Sequence, residues 1–107
     1  MKDIYLLNSS IITSEGTFSY RRVSLSYVKK LINDNNIKSA IGHSSTAEAM
    51  STLLGHHIPC QRIEVNQKVG DIAIVFKLNN RLPEGRLLTI EEIYEAGFKW
   101  YKLIKKS

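Results

Sequence analysis

The sequence predicts a single α+β domain whose small mixed β-sheet is flanked by helices. The chain has 107 residues, which is the usual size of one domain, and neither an internal repeat nor a linker divides it. Short apolar runs that are typical of buried strands occur beside segments whose apolar residues recur at helical spacing. Together these observations predict one domain that spans residues 1–107.

The first third of the chain is predicted to contain two extended segments and a helix. Residues 3–7 are a compact apolar run that is typical of a buried strand, and residues 14–17 carry a turn signal. Residues 18–23 are predicted to form either a short strand or an irregular connector. Ser24 is the expected N-cap of a helix that ends at residues 34–36. The apolar positions of this helix recur at helical spacing, at Leu25, Val28, Leu31 and Ile32.

The middle of the chain is predicted to contain a strand over residues 37–41 and a second helix. Ser45 and Glu48 have the spacing of a capping box, so Ser45 is the expected N-cap, and Gly55 is the expected end of the helix. One face of this helix is apolar and is expected to face the core, with Ala47, Met50, Leu53 and Leu54.

Two further strands and a turn are predicted to follow. In residues 61–65, Ile63 and Val65 alternate with charged side chains, as in a strand with one covered face. Residues 67–71 have the pattern of a hairpin turn. The apolar run over residues 72–78 gives the strongest strand signal in the chain and predicts a central strand.

The last part of the chain is predicted to contain a short helix and a final strand. Thr89 and Glu92 form a second capping-box pattern, so the helix is predicted over residues 90–96, before Gly97. Bulky and basic side chains alternate over residues 98–104, which predicts the strand.

Composition limits the location and the partners of the protein. No apolar run approaches the ~20 residues needed to cross a bilayer, and the first residues do not resemble a secretory signal. The single cysteine, Cys60, excludes an internal disulfide and favours a reducing cytoplasm, that of the host cell if a virus or prophage encodes the chain. The net charge of +5 suits a phosphate-bearing partner, but no long basic run marks a nucleic-acid tail. We therefore expect a cytoplasmic protein that binds neither a membrane nor long nucleic acid.

Three polar clusters follow predicted strands. They are residues 8–10, residues 42–46 and the pair Arg81 and Glu84. Clusters at strand ends often converge on a ligand when the strands end at one edge of a sheet. The start of the second helix favours an anion there, usually a phosphate, and His43 is suited to exchanging a proton near neutral pH.

Metal-independent cleavage of an RNA phosphodiester fits this set of residues. Arg81 would hold the phosphate through two donors, and His43 would donate a proton to the departing 5′-oxygen. Glu84 would hold either the histidine or a ribose hydroxyl. The same residues allow plainer interpretations, namely a capped helix beside an exposed histidine and a loop salt bridge between Arg81 and Glu84.

His56, His57 and Cys60 raise the alternative of a zinc site. Adjacent side chains point in different directions, however, and neither a second cysteine nor a paired-ligand motif completes a set of four ligands. A metal site is therefore not expected here.

Two motifs resemble those of the viral ring-nuclease family. Residues 42–46 read Gly-His-Ser-Ser-Thr, which fits the pattern Gly-His-x-Ser-Thr, and residues 81–85 read Arg-Leu-Pro-Glu-Gly, which fits Arg-Leu-x-Glu-Gly. The resemblance extends over nearly all of the chain and includes Pro59, Arg62 and residues 70–78. This family comprises the type III anti-CRISPR ring nucleases of archaeal viruses and phages and similar proteins of bacterial mobile elements.

The resemblance implies a small mixed sheet with flanking helices, assembled as a symmetric homodimer that uses no cofactor. It also implies that the substrate is cyclic tetra-adenylate, the second messenger of type III CRISPR defence, which is cut into linear di-adenylate. His43 matches the general acid of the family, and Arg81 and Glu84 match its paired active-site residues. The positions that match ligand contacts are Asn8, Ser9, Ser10, Gly42, Ser44, Ser45, Thr46 and Arg62.

In the expected mechanism the ribose 2′-hydroxyl attacks the adjacent phosphate in line and gives a 2′,3′-cyclic phosphate. The ring of nucleotides is expected to lie at the dimer interface. Two alternatives are a non-catalytic protein that sequesters a cyclic nucleotide and a nucleic-acid-binding regulator of a mobile element. A proton donor at His43 favours cleavage over sequestration, and the modest charge argues against the regulator.

Overall fold

The structure is a computed structural model that describes residues 3–9, 15–80 and 89–107. Within these residues the chain forms one α+β domain with a five-stranded mixed sheet and three helices, as predicted. In chain order the elements are β1 (Asp3–Leu7), β2 (Phe18–Val23), α1 (Leu25–Asp34), β3 (Asn36–Ser39), α2 (Ser44–Leu54), β4 (Ile72–Leu78), α3 (Ile90–Ala96) and β5 (Phe98–Lys105).

The order of the strands is β2-β5-β4-β1-β3, so β4 is the central strand, as its apolar run predicts. β1 pairs in parallel with both β3 and β4, whereas β5 pairs antiparallel with β4 and β2. The carboxyl ends of β1, β3 and β4 therefore lie at one edge of the sheet, which we call the carboxyl edge. β2 also ends and β5 begins at this edge, because Val23 pairs with Trp100 and Leu78 pairs with Phe98.

All three helices pack against one face of the sheet. Successive strand residues point to opposite faces, and one alternate set joins the apolar side chains of the helices in a single core. Its largest members include Ile4, Leu6, Ile74, Phe76 and Trp100 from the strands and Val28, Ile32, Met50, Leu53 and Ile93 from the helices. The apolar face predicted for α2 is therefore buried, as expected.

The opposite face carries no helix in the described part of the chain. Its buried strand residues, Leu7, Ala73, Val75 and Leu103, form a second cluster with Val65. The buried Gln67 side chain donates hydrogen bonds to the carbonyl oxygens of Asp71 and Leu103, at 3.1 and 3.2 Å. Residues from the connection between α2 and β4 thus cover this face, and the described helices flank the sheet on one side only.

Where the sequence carries a clear capping pattern, the helix begins or ends as predicted. The Ser24 hydroxyl accepts a hydrogen bond from the Tyr27 amide at 3.1 Å, so Ser24 is the N-cap of α1. Thr89 and Glu92 form a reciprocal capping box at the start of α3. Gly55 ends α2 in the left-handed conformation, with φ of 64°, and donates to the Ser51 carbonyl at 2.9 Å. Residues 18–23 form a strand rather than an irregular connector.

The prediction that Ser45 caps α2 is wrong. The backbone is still extended at His43, with φ of −122° and ψ of 126°, and the His43 carbonyl accepts the first helical hydrogen bond from Ala47 at 3.0 Å. His43 is therefore the N-cap, and Ser45 lies inside the first turn with only 8% of its surface exposed. A buried hydroxyl within the turn cannot take the place of the N-cap oxygen.

The predicted strand over residues 61–65 is also wrong, because these residues make no strand pairing. The segment crosses the helix-free face, where Val65 is 4% exposed, while Ile63 is 41% exposed. A turn does follow, in which the Asp71 amide donates to the Lys68 carbonyl at 2.9 Å. This turn leads into β4 but does not join two strands of a hairpin.

The strand predicted over residues 37–41 ends earlier, at Ser39. The Ala40 amide still donates to the Leu6 carbonyl at 2.9 Å, so the chain that follows β3 separates from β1 only after Ala40. In the described part of the chain, no helix is long and apolar enough to cross a membrane.

Candidate active site

The connection between β3 and α2 is held on both sides at the carboxyl edge. On one side the Ala40 amide bonds to the Leu6 carbonyl of β1, and on the other the Gln61 amide donates to the Ile41 carbonyl at 2.9 Å. The Ser39 hydroxyl ties the same region to the loop after α2 by donating to the Pro59 carbonyl at 2.6 Å. These bonds fix where the chain turns into α2 and therefore where His43 lies.

The N-terminus of α2 presents backbone N–H groups at this edge. The first N–H groups of a helix have no carbonyl partner in a preceding turn, and the His43 side chain makes no capping hydrogen bond. The N–H groups concerned belong to Ser44, Ser45 and Thr46. They carry the positive end of the helix dipole, so an anion is favoured beside His43.

The side chains of this first turn differ in their exposure. His43 and Ser44 are exposed, whereas Ser45 and Thr46 are buried, at 8% and 7% exposure. His43 is thus free to meet a ligand from solution. A bound anion would therefore meet Ser45 and Thr46 mainly through their backbone N–H groups, which point out of the helix end.

Arg62 lies against Gly42, directly beside His43. A β-carbon on Gly42 would lie 3.3 Å from both Cγ and Nε of Arg62, so the arginine side chain packs on the glycine backbone. This contact brings a cation to the start of α2, although residues 61–65 do not form the predicted strand. The absence of a side chain at Gly42 is what permits the close approach.

The end of β1 lies at the same edge as His43. Leu6 pairs with Ser39, so Asn8 and Ser9 follow β1 beside the connection that leads to α2. Asn8 is half-buried and Ser9 is exposed. The structure therefore brings Asn8, Ser9 and the start of α2 to one edge of the sheet, as the sequence predicts.

Three of the predicted site residues, Ser10, Arg81 and Glu84, lie outside the described residues. The chain leaves β4 at Leu78, at the carboxyl edge. Asn79 and Asn80, which follow, are tied to the start of β5: the Asn79 amide donates to the Gly97 carbonyl and the Asn80 side chain to the Ala96 carbonyl, at 2.9 and 2.8 Å.

His56, His57 and Cys60 are all exposed in the connection after α2. Among the described residues, no group of three or more His, Cys, Asp or Glu side chains could hold a metal ion.

Sequence reasoning missed a cavity of about 470 Å³ at the far end of the carboxyl edge. The residues that line it come from the end of β2, the start of α1, the end of α3 and the start of β5: Arg22, Val23, Ser24, Leu25, Tyr94, Phe98, Lys99 and Trp100. These residues are far apart in the chain, so no local motif marks the cavity.

Comparisons with known proteins cover almost the whole chain. A family model described as STIV B116-like matches residues 4–100. The uncharacterized protein ORF117 of Acidianus two-tailed virus is 43% identical over 104 residues, which are 92% of this chain and 89% of that protein. The uncharacterized protein YddF of Bacillus subtilis strain 168 is 35% identical over 105 residues, which are 96% of this chain and 97% of YddF. The solved structure of B116 of Sulfolobus turreted icosahedral virus matches with a TM-score of 0.78 and 26% identity over 97% of this chain and 99% of B116.

Proposed function

This chain belongs to the STIV B116-like family, and from that premise we propose that it is a ring nuclease. In this proposal the protein cuts cyclic tetra-adenylate, without a metal ion, into linear di-adenylate with 2′,3′-cyclic phosphate ends. Removal of this second messenger switches off type III CRISPR immunity. The proposal is supported by the resemblance of residues 42–46 and 81–85 to the two motifs of the viral ring nucleases.

The observation that carries the proposal is the position of His43 at the N-cap of α2. An exposed imidazole stands beside N–H groups that favour an anion. A phosphate bound at the helix end would therefore lie next to a side chain that can donate a proton near neutral pH. Binding alone needs no proton donor at this position, so this arrangement favours cleavage over sequestration.

Cations complete the phosphate site in this proposal. Arg62 packs against Gly42 at the start of α2, where its guanidinium can offer two donors to phosphate oxygens. Arg81 is the second candidate, assigned by its motif. Negative charge that develops on the phosphate in the transition state is stabilised by such fixed donors.

The reaction breaks one P–O bond for each one it forms. The ribose 2′-hydroxyl oxygen attacks phosphorus, the bond from phosphorus to the 5′-oxygen breaks, and His43 donates a proton to that oxygen. Glu84 either accepts the proton of the 2′-hydroxyl itself, or orients His43 while a solvent water accepts that proton. Asn8, Ser9 and Ser10 hold the nucleotides so that the attacking oxygen, phosphorus and leaving oxygen are in line.

The test is incubation of purified protein with radiolabelled cyclic tetra-adenylate in excess chelator, followed by separation of the products. We expect linear di-adenylate from the unaltered protein, and a loss of ~10²–10⁴-fold in rate for His43→Ala, the usual effect of removing a general acid or base. His57→Ala is the matched control, because His57 is another exposed histidine in the connection after α2; it should cleave at the native rate.

Two outcomes would overturn the proposal. An intact ring that co-elutes with the protein would identify a sequestering protein. A native rate for His43→Ala would remove His43 from the mechanism.

A further inference from the structure

Two lysines, Lys77 of β4 and Lys99 of β5, lie directly opposite each other near the carboxyl edge; we call them the lysine pair. Alternate residues of a strand share a face, so Lys77 lies on the face of Val75 and Lys99 on the face of Leu103. Val75 and Leu103 belong to the cluster on the helix-free face. Both lysine side chains therefore project from the helix-free face.

The connection between α2 and β4 leaves the lysine pair accessible. This connection packs Val65 into the apolar cluster of the face, whereas Lys77 is exposed and Lys99 is half-buried. Neither lysine makes an ion pair with a described residue. The lysine pair is thus open to a ligand from solution.

The surroundings of the lysine pair on the described strands contain no acidic side chain. The strand residues beside it on the same face are Val75, Tyr101 and Arg22. Like charges directly opposite each other across strands are destabilising, and the arginine adds to this repulsion. A bound anion would reduce it, so this part of the face favours a negatively charged ligand.

The spacing of the lysine pair suits one phosphate group. The β-carbons of directly opposite residues lie about 4.5–5.5 Å apart, and each lysine carries three donors on a flexible stem. The two ammonium groups can therefore contact oxygens of the same phosphate. Lysine binds phosphate as a point charge, so such contacts do not depend on the base that the phosphate carries.

The lysine pair adjoins the end of β1, which Ser9 follows. Leu7 pairs with Val75, and Ser9 and Lys77 each come two residues later in the chain. Neighbouring strands are about 4.8 Å apart, so Lys77 is one strand spacing from the line of β1. The pair is therefore next to residues that the proposed function assigns to substrate binding.

Arg62 extends the positive charge to the start of α2. It packs on Gly42, beside His43, and lies near the beginning of the connection that crosses the helix-free face. Cations are thus present along the carboxyl edge from α2 to β5. One phosphate beside His43 does not account for the lysine pair, whereas a ring of four nucleotides carries three further phosphates.

We propose that Lys77 and Lys99 form a subsite for a phosphate of the cyclic oligonucleotide that is not being cut. The two lysines bind and orient the ring, and they take no part in proton transfer. This inference rests on the proposed function and adds a second anchor for its substrate.

The experiment measures binding of radiolabelled cyclic tetra-adenylate by equilibrium dialysis in the His43→Ala background, which is expected to leave the ring intact. Adding Lys77→Gln and Lys99→Gln should weaken binding at least about tenfold. The slope of log affinity against log salt concentration should fall by about one, as for the loss of one phosphate contact. With His43 present, the same double variant should raise KM while kcat stays within about twofold, because it removes binding that the ground state and the transition state share.

Lys29→Gln, Lys30→Gln is the matched control. It removes the same charge from exposed residues of α1, a helix on the other face of the sheet, so screening by salt should limit the loss of affinity to less than about twofold. Circular dichroism checks that each variant is folded.

Equal weakening by the two double variants would overturn the inference, because it would show that only net charge matters. Unchanged ring binding in the Lys77→Gln, Lys99→Gln variant would also overturn it and would leave the proposed function standing. Failure of the unaltered protein to bind or cleave the ring would overturn the proposed function, and this inference with it.

Discussion

At the scale of single residues, the first residue of α2 decides which groups can act together. Because the helix begins at Ser44, His43 is the N-cap and stands beside the unpaired N–H groups. If Ser45 were the N-cap, His43 would lie two residues before it. The imidazole ring would then not lie beside the backbone N–H groups of the first helical turn. The hydrogen bonds from Ala40 to Leu6 and from Gln61 to Ile41 fix this start.

Gly42 tests whether the position of Arg62 matters to the proposed reaction. A β-carbon at Gly42 would meet Cγ and Nε of Arg62 at 3.3 Å, so Gly42→Ala must displace the arginine side chain by a few tenths of an ångström. Since Gly42 does not have a positive φ, the backbone accepts alanine without strain. We expect kcat/KM for cyclic tetra-adenylate to fall about tenfold, while the free energy of unfolding in urea changes by less than about 0.5 kcal/mol.

A double-mutant cycle provides the control for this prediction. If Gly42→Ala acts by moving Arg62, it should have almost no further effect in an Arg62→Ala background. A full tenfold loss in that background would show that the alanine acts by another route.

At the scale of elements, the connection between α2 and β4 replaces a predicted strand and covers the helix-free face. Val65 is buried there beside Leu7 and Leu103, whereas Ile63 is 41% exposed. We therefore expect Val65→Ala to lower the free energy of unfolding by about 2 kcal/mol, through lost burial and a residual cavity. Ile63→Ala, a comparable truncation in the same segment, should cost less than about 0.5 kcal/mol. Urea unfolding measures both.

If Val65→Ala and Ile63→Ala lowered the free energy of unfolding equally, this would contradict the description of the segment. A second outcome is informative for function. Because the segment also carries Arg62, loosening it by Val65→Ala should reduce ring cleavage more than Ile63→Ala does.

The contrast between this segment and its neighbours shows which elements a sequence can predict. Thr89 with Glu92, and Ser24 with the helical pattern after it, form contacts within one turn, so local sequence is sufficient to predict them. The run over residues 72–78 is long enough to predict a central strand. Alternation over residues 61–65 is ambiguous, because an extended segment that crosses a sheet buries alternate residues just as a paired strand does.

The candidate site was predictable only in part, because some of its geometry depends on contacts between segments that are distant in sequence. His43, Asn8 and Ser9 follow strands whose parallel pairing brings their ends to one edge, which a strand-end argument anticipates. The N-cap at His43 depends on the hydrogen bond that the Leu6 carbonyl accepts from Ala40 and on the one that the Gln61 amide donates to Ile41. Leu6 and Gln61 are both distant in sequence from His43. The cavity at the far end of the carboxyl edge is lined by four separate segments, and no pattern in any one of them predicts it.

At the scale of the whole molecule, the proposed substrate and the proposed assembly share a symmetry. A ring of four identical nucleotides contains a two-fold axis, and a two-fold dimer presents every site twice. Two cuts on opposite sides of the ring give two equal halves, so we propose that the ring lies at the dimer interface and that each protomer makes one cut. Light scattering should then show a dimer at working concentration, and a fully active monomer would contradict this arrangement.

A mixed dimer tests the division of labour between the two protomers. An unaltered protomer and a His43→Ala protomer carry different tags, and tandem purification isolates the dimers that contain one of each. If each His43 serves one phosphate, the mixed dimer makes a single cut and releases linear tetra-adenylate as its main product, while unaltered dimers with the same two tags release di-adenylate. The physical reason is that the general acid must lie within hydrogen-bond reach, about 3 Å, of the oxygen it protonates, so a histidine on one side of the ring does not reach the opposite phosphate. Di-adenylate from the mixed dimer at half the normal rate would show instead that one site makes both cuts in turn.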